Sequence, residues 1–479
     1  MRLQYAVSSL AVLACVASLP AQAASDPFFP TFGNAGIDVQ HYDLALTVDP
    51  VPAHIAGKAT LLVKATANLT SFSLDLHALT VSSVKVNLKT ASFNQSNDKL
   101  TITPTKSIKS GSVFAVEIAY SGNSDPIADP TAPDGSGVVL GWLTYGKSAY
   151  VVSEPVGAST FFPVNDDLKD KATYTFRVTV PEPYKAATNG RLLNVKDLGS
   201  KRRYTFEMLQ PMASWLATVQ VNQFKVVEAK ASGGIKVRTY ATSDTTNEAI
   251  AGFQAAKDMI PYLAARFGPY PFETYSSVAI DDPTLGYALE TQSISVFPKD
   301  VFSSDFVSHE LAHQWFGDSV SVKQWKDLWL AEGFATYVEV LWPNRADKAG
   351  YDKAMLAIYN DVKKNAVGPA VVDKPEDLFS DRTYNRGVMV LYALEKKIGQ
   401  PMLFKVMRTW ATENRYHKVT TADFVDTVVR VTRNKSLRDF LNHWIYDATV
   451  PTLPGTSASA IAKAASGASL PTLVESHRR

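Results

Sequence analysis

The sequence predicts a multidomain α+β protein in which an antiparallel β domain precedes a mainly helical domain. Two patterns predict this class: apolar residues alternate with a period of two between about residues 38 and 230, and they recur at helical spacing after about residue 235. The length of 479 residues suits two to four domains of about 150 residues each. Hydrophobic residues make up 46% and charged residues 20%, which is typical of a folded chain and excludes a disordered or coiled-coil one.

The first 23 residues have the pattern of a secretory signal peptide. Arg2 supplies a positive start, residues 6–19 form an apolar run, and Ala21-Gln22-Ala23 is a small-x-small cleavage site. The run is too short to span a bilayer as a stable helix, and no later run reaches that length. We therefore expect an exported chain, periplasmic or extracellular, whose mature form begins at residue 24 and has no transmembrane segment. A buried N-terminal helix is the alternative.

The only cysteine, Cys15, lies inside this predicted signal peptide. The mature chain would then contain neither a disulfide nor a thiol, so that its core, or a metal, must stabilise it. A second interpretation is that Val12-Leu13-Ala14-Cys15 is a lipoprotein cleavage box. In that case Cys15 would be acylated and the exported chain would be lipid-anchored.

Residues 24–230 predict the N-terminal antiparallel β domain. Several runs alternate between apolar and polar residues, as half-buried strands do. The clearest apolar series are Tyr42, Leu44, Leu46 and Val48; Phe72, Leu74 and Leu76; and Tyr174, Phe176, Val178 and Val180.

Residues 231–455 predict the mainly helical domain. Apolar residues at helical spacing favour helices over residues 249–267, 304–316, 331–342, 351–364, 385–398, 402–414 and 437–446. Thr420 with Asp423 resembles a capping box that opens one more helix. Residues 456–479 are rich in Ala and Ser and lack a periodic apolar face, which predicts a mobile tail.

The charge balance argues against one class of partner. The 48 Lys and Arg residues nearly equal the 46 Asp and Glu residues, for a formal charge of +2. A nucleic-acid-binding chain usually carries a marked basic excess, so we expect no nucleic-acid partner.

The sequence His309-Glu310-Leu311-Ala312-His313 predicts a zinc site. His309 and His313 are four residues apart, so on a helix their imidazoles lie on one face. This is the spacing of two ligands of one tetrahedral Zn²⁺. Glu310 follows the first histidine and can reach water bound to the metal.

Glu332 is the predicted third zinc ligand. It follows His313 after 18 intervening residues, on the next predicted helix. Two histidines and one glutamate form a common ligand set of catalytic zinc, with a fourth position open for water. We therefore expect one Zn²⁺ per chain. The alternative is that both histidines are hydrogen-bonded core residues and that Glu332 stabilises a helix N-terminus.

These residues resemble the aminopeptidase-N-like gluzincin metallopeptidases. The resemblance lies in the segments HELAHQWFGDSV and WLAEGFATYVE, and also in the neighbourhoods of His41-Tyr42-Asp43, Ser153-Glu154-Pro155 and Tyr384-Asn385-Arg386-Gly387. It covers roughly residues 30–455. It implies a saddle-like β domain followed by a thermolysin-like catalytic domain, in a short form without the large C-terminal helical domain that many members carry.

The resemblance also implies substrate-binding residues. The family's exopeptidase motif, Gly-x-Met-Glu-Asn, corresponds to the segment from Gly286 to Thr291, with one additional residue, with Leu289 in place of Met and with Thr291 in place of Asn. Glu290 would bind the substrate's α-ammonium group. Glu154 would help to bind it from the β domain. The alternatives are an edge-strand glutamate and a solvated loop glutamate.

Two further residues complete the predicted site. The resemblance implies that Tyr384 donates its hydroxyl to the oxyanion that forms during hydrolysis, and the alternative is a packing tyrosine. Glu339 lies seven residues after Glu332 on the same helix face, so it could orient a histidine ligand through a hydrogen bond, or be an exposed helix residue.

Together these features predict an exported zinc aminopeptidase that hydrolyses the N-terminal bond of peptides with a free amine. Glu310 would be the general base for zinc-activated water. Three alternatives remain: a zinc hydrolase of the same fold with different chemistry, such as an endopeptidase or epoxide hydrolase; a non-catalytic peptide-binding module; and a purely structural domain. The sequence leaves open the preferred first residue and the oligomeric state.

Overall fold

The computed structural model describes residues 26–299 and 303–455. The predicted signal peptide, Cys15 and the predicted tail after residue 455 lie outside the described residues. Among the described helices, none combines the length and the apolar composition that crossing a bilayer requires.

The N-terminal part of the described chain consists of β-sheets. Its strands are β1 (Ile37–Pro50), β2 (Ala53–Ala65), β3 (Phe72–Asp75), β4 (Thr80–Val86), β5 (Lys89–Thr90), β6 (Ser92–Ser96), β7 (Lys99–Thr103), β8 (Val113–Asn123), β9 (Ile127–Ala128), β10 (Val139–Tyr145), β11 (Ser148–Val152), β12 (Lys171–Pro181), β13 (Lys185–Thr188), β14 (Arg191–Asp197), β15 (Lys201–Ala213) and β16 (Val219–Asn222). An eight-stranded sheet has the order β14-β15-β12-β1-β2-β8-β4-β5. The N-terminal part also contains a five-stranded sheet (β13-β16-β11-β10-β9) and a three-stranded sheet (β3-β7-β6).

The predicted alternation is confirmed in the long strands of the large sheet. Tyr42, Leu44, Leu46 and Val48 of β1 are buried, whereas the residues between them are half-buried. This pattern places one face of the sheet against the core. One pairing departs from the antiparallel expectation, because β1 runs parallel to β12. A local pattern does not specify such a pairing, since it depends on strands far apart in the chain.

The second half contains nine of the described helices and a further sheet. The helices are α1 (Asn247–Gln254), α2 (Ala256–Phe267), α3 (Ser304–His313), α4 (Trp329–Leu341), α5 (Lys348–Lys364), α6 (Gly387–Ile398), α7 (Gln400–Glu413), α8 (Thr421–Thr432) and α9 (Leu437–Tyr446). The remaining strands are β17 (Lys225–Lys230), β18 (Lys236–Ala241), β19 (Thr274–Ile280), β20 (Ile294–Pro298), β21 (Ser321–Val322) and β22 (Lys418–Val419). The predicted capping box of α8, Thr420 with Asp423, is confirmed.

The sheet β17-β18-β19-β20 lies largely where the sequence predicts mainly helices. Every residue of β19 is buried, so this strand has no polar alternation that would reveal it in the sequence. Strands β17 and β18 pair as a hairpin across residue 230, the predicted domain boundary. A continuous hydrophobic core connects the β domain to the helices.

Helix α4 is the buried centre of the second domain. All of its residues are buried, and its Gly333 lies against Gly387 at the start of α6. A Cβ atom added to Gly333 would lie 2.7 Å from the Gly387 carbonyl carbon, so only glycine permits this approach. The close packing brings Glu332 of α4 near the segment that carries Tyr384.

Candidate active site

Helix α3 carries the first two predicted zinc ligands. The Ser303 side chain accepts a hydrogen bond from the Phe306 amide and caps the helix, which is buried from Phe306 to His313. His309 and His313 lie on one helix face with ring centroids 4.8 Å apart. The arrangement agrees with the spacing argument from the sequence.

Glu332 of α4 faces both imidazoles. Its Oε2 atom lies 3.4 Å from Nε2 of His309 and 3.4 Å from Nε2 of His313. One ligand atom from each of the three residues can be chosen so that all lie within 4.8 Å of one another. Among the described residues, no hydrogen bond reaches the buried Glu332 Oε2. A buried carboxylate oxygen between two imidazole nitrogens suits a divalent cation, so this donor set fits Zn²⁺.

The other ring nitrogens orient the two imidazoles. His309 Nδ1 lies 2.9 Å from Glu339 Oε2, and His313 Nδ1 lies 3.1 Å from the Phe316 carbonyl oxygen. These contacts leave both Nε2 atoms directed at Glu332. Burial by itself lowers the pKa of His309, but the carboxylates of Glu332 and Glu339 outweigh it and raise the pKa to about 9.

Three more glutamates surround the same small cavity. Glu310 lies on α3, Glu290 precedes β20, and Glu154 follows β11 of the β domain; all three are buried. Carboxylate oxygens of Glu154, Glu290 and Glu332 lie within 4.8 Å of one another. Burial raises the pKa of Glu290, and it raises the pKa of Glu310 to about 8.

The cavity contains no lysine or arginine among its described lining residues. These are Glu154, Tyr287, Ala288, Glu290, His309, Glu310, His313, Glu332 and Tyr384. Four carboxylates in a buried space repel one another unless cations lie between them. The site therefore favours the binding of positively charged ions or groups.

Tyr384 reaches this cavity from a π-helical turn, Arg382–Arg386, which leads into α6. Its ring stacks on the His309 ring at a centroid distance of 6.0 Å and an angle of 21°. Single π-helical turns are common at functional sites. The sequence predicts a helix from Asn385, but the regular helix begins only at Gly387.

Two arginines that the sequence analysis missed hold this turn at its ends. Arg382 donates to the carbonyl oxygens of Pro369 and Val371, at 2.8 Å each, and to two aspartates. Arg386 is fully buried, and its Nε donates to the Trp444 carbonyl oxygen at 2.9 Å. Its Nη2 donates to the carbonyl oxygen of Asp447 at 3.2 Å. The two Arg386 contacts connect segments that are distant in sequence, so no local pattern reveals them, whereas the partners of Arg382 lie between residues 369 and 377.

Lys171 of β12 is a third residue that the sequence analysis missed. Its buried ammonium donates to the Asp318 carbonyl oxygen and to Ser321 Oγ, both at 2.8 Å. Burial lowers the pKa of Lys171 to about 7. The contacts connect the β domain to the turn that follows His313.

The structure separates one predicted substrate-binding residue from the others. Gly286 does not line the cavity of the glutamates; it lines an adjoining cavity together with Tyr287, which borders both. An added Cβ at Gly286 would meet no atom within 4 Å. The nearby Thr291, which replaces the expected Asn, donates its hydroxyl to the Ile294 carbonyl oxygen.

Both parts of the chain match family models. Residues 38–216 match the Peptidase M1 N-terminal domain, and residues 252–444 match the Peptidase family M1 domain. Aminopeptidase A of Gloydius brevicauda is 28% identical over 338 residues, which is 64% of this chain and 35% of the relative. Human glutamyl aminopeptidase is 27% identical over 67% of this chain and 39% of the relative. The chain thus spans little more than a third of the length of these relatives.

One solved protein structure is similar to this chain over nearly the whole length of both chains. It is the M1 zinc metallopeptidase of Deinococcus radiodurans, which is 30% identical. Its crystal structure has a TM-score of 0.81 and that of a mutant a TM-score of 0.80; each match covers 91% of this chain and 100% of that one. A mutant of the same protein was also crystallised with a Tyr-Ser-Ala substrate. This match is 30% identical, has a TM-score of 0.81, and covers 90% of this chain and 99% of the mutant chain.

Proposed function

Because the chain belongs to peptidase family M1, we propose that it is a zinc aminopeptidase, which hydrolyses the first peptide bond of peptides with a free N-terminal amine. The observation that carries the proposal is the convergence of Glu154 and Glu290 beside the predicted ligands, with no lysine or arginine among the cavity's described lining residues. Zinc is the metal of this family, and His309, His313 and Glu332 are the residues that would hold it.

When bound, zinc would act as a Lewis acid and make water easier to deprotonate. The carboxylate of Glu310 accepts the proton of the attacking water and later transfers it to the leaving amine nitrogen. The water oxygen bonds to the carbonyl carbon, and the bond from that carbon to nitrogen breaks. Glu339 keeps the His309 ring in place throughout.

Glu290 and Glu154 bind the substrate's α-ammonium group. An ammonium group placed between two buried carboxylates relieves their mutual repulsion. A peptide with a blocked amine would bring no positive charge to these two carboxylates, which disfavours its binding. The two residues therefore set the position of cleavage at one residue from the N-terminus.

Tyr384 donates its hydroxyl to the oxyanion that develops on the attacked carbonyl oxygen. Such a donor stabilises the transition state more than the ground state. Arg382 and Arg386 act as positioning residues, because they fix the ends of the turn that presents the hydroxyl.

We also propose that the chain is exported, on the basis of the signal-peptide pattern of residues 1–23. Identifying the N-terminal residue of the mature chain would test this proposal.

Replacing Glu290 by Gln should lower kcat/KM for an aminoacyl p-nitroanilide by about 10- to 100-fold, because a hydrogen-bonded charge is lost from the amine site. The loss should fall mainly on KM. Cleavage of the same substrate with an acetylated amine should be very slow for both proteins. Glu117→Gln is the matched control: this half-buried side chain of β8 pairs with Lys58 and does not line the cavity, so the variant should behave like the unchanged enzyme.

Equal cleavage of the free and acetylated substrates by the unchanged enzyme would contradict the aminopeptidase proposal. It would favour an endopeptidase, or another hydrolase of the same fold. Absence of turnover on every peptide substrate, in a folded and zinc-loaded protein, would favour a binding module.

Replacing Arg386 by Met should lower kcat about tenfold and leave KM nearly unchanged, because small displacements of a catalytic group are costly. Arg386→Lys should retain part of the rate. The decisive measurement is the double variant with Tyr384→Phe, in which Arg386→Met should cause little further loss. If the two losses instead multiply in full, Arg386 only stabilises the fold.

A further inference from the structure

A larger cavity of about 320 Å³ adjoins the glutamate cavity. Its walls come from both domains: Leu143, Tyr150 and Val152 from β10 and β11, and residues 284–287 from the loop before Glu290. Residues 136–139 close a third side. At about 30 Å³ for each water molecule, it has room for roughly ten waters, which suffices for a large side chain.

The position of this cavity relates it to the amine site. Tyr287 lines both cavities. Val152 lies two residues before Glu154, and Gly286 lies four residues before Glu290. A substrate whose ammonium group lies between Glu154 and Glu290 therefore has this cavity beside its first residue.

The wall of the cavity carries no formal charge among the described lining residues. Their largest side chains are those of Leu143, Tyr150, Leu285 and Tyr287. The carboxylate of Asp282, two residues before Thr284 of the wall, is buried and already hydrogen-bonded. Its Oδ2 accepts a 2.6 Å hydrogen bond from the Tyr150 hydroxyl, and its Oδ1 accepts from the amide and the hydroxyl of Thr284.

We propose that this cavity receives the side chain of the substrate's first residue and selects large apolar or aromatic side chains over charged ones. The inference rests on the proposed aminopeptidase function. An acidic side chain would meet no lysine, arginine or histidine on the described wall, and a basic one would meet no available carboxylate there. Burying either charge without a partner is unfavourable, whereas apolar contacts with Leu143, Val152 and Leu285 favour an apolar side chain.

This preference differs from the one that the names of the glutamyl aminopeptidases suggest for those relatives. A glutamyl side chain needs a cation, and the described wall offers none. Leu143 is the best position for altering the preference, because it is only half-buried at the cavity wall.

The first test compares p-nitroanilides of Leu, Phe, Ala, Glu and Lys. We expect kcat/KM for Leu and Phe to exceed that for Ala, and to exceed those for Glu and Lys by at least tenfold. A preference for Ala, Glu or Lys would overturn the inference, yet it would leave the aminopeptidase function intact.

The second test introduces a cation with Leu143→Arg. The ratio of kcat/KM for Phe to that for Glu should fall at least tenfold, because the arginine can pair with the glutamyl carboxylate. Leu209→Arg, at an exposed site on β15, is the matched control and should keep the original ratio. An unchanged ratio in a folded Leu143→Arg protein would overturn the inference.

Calorimetry separates this inference from the proposed function. L-phenylalanine and L-glutamate are titrated into the zinc-loaded Glu310→Gln variant, in which turnover plays no part. Phenylalanine should bind at least tenfold more tightly. If the unchanged protein hydrolyses no substrate but its variant still prefers phenylalanine, the proposed function is wrong and the cavity assignment stands. Equal affinities would overturn the cavity assignment.

Discussion

Replacing Glu310 by Gln should lower kcat about a thousandfold while leaving the fold and the bound zinc in place. The side chain is buried in α3 between the two histidines, inside the cavity where the substrate's carbonyl must lie. Glutamine has the same shape but accepts no proton at physiological pH. Loss of a general base typically costs a factor of 10² to 10⁴.

The measurement is single-turnover kinetics on an aminoacyl p-nitroanilide, with zinc content and circular dichroism recorded for the same samples. Glu248→Gln, at an exposed position in the first turn of α1, is the control and should keep the normal rate. A Glu310→Gln protein whose kcat stays within tenfold of normal would remove Glu310 from the role of general base. Loss of zinc from the variant would show instead that Glu310 supports the metal site.

Much of this site is local in sequence, which is why it can be predicted. His309, Glu310 and His313 share one helix, so the helical period fixes their mutual placement. Glu339 follows Glu332 by two helical turns, and its 2.9 Å contact with His309 follows from that spacing once α3 and α4 pack together. The strands of the large sheet can be predicted for a similar reason, because a strand with one buried face shows alternating apolar and polar residues in its own sequence.

The remainder depends on contacts between distant segments. Arg386 is positioned by carbonyl groups near residues 444–447, and Lys171 by the turn after His313. The residues around Arg386 and around Lys171 show no pattern that would identify these distant hydrogen-bond partners. Gly286 lies in the wall of the adjoining cavity, a placement that the motif resemblance does not specify. The charge-free wall of that cavity likewise becomes visible only when segments of both domains come together.

Removing zinc should abolish activity and destabilise the protein, and Glu332→Gln should do the same at low zinc concentrations. The replacement takes a negative ligand away from two imidazoles and leaves Glu154, Glu290 and Glu310 crowded in one cavity. With zinc at a thousand times its dissociation constant, the metal stabilises the folded state by about 4 kcal/mol, and a chelator should remove that contribution. Added zinc should restore both activity and melting temperature in the unchanged protein.

A buried glutamate outside the site provides the control for this second experiment. Glu395 on α6 accepts hydrogen bonds of 2.7 Å from the hydroxyl groups of Tyr337 and Tyr351. Glu395→Gln should lower the free energy of unfolding by about 1–3 kcal/mol, because it weakens buried hydrogen bonds, but it should retain stoichiometric zinc. Glu332→Gln should instead weaken zinc affinity by at least a hundredfold, measured by competition with a chelator of known affinity. If it binds zinc as tightly as the Glu395 variant does, Glu332 is not a ligand.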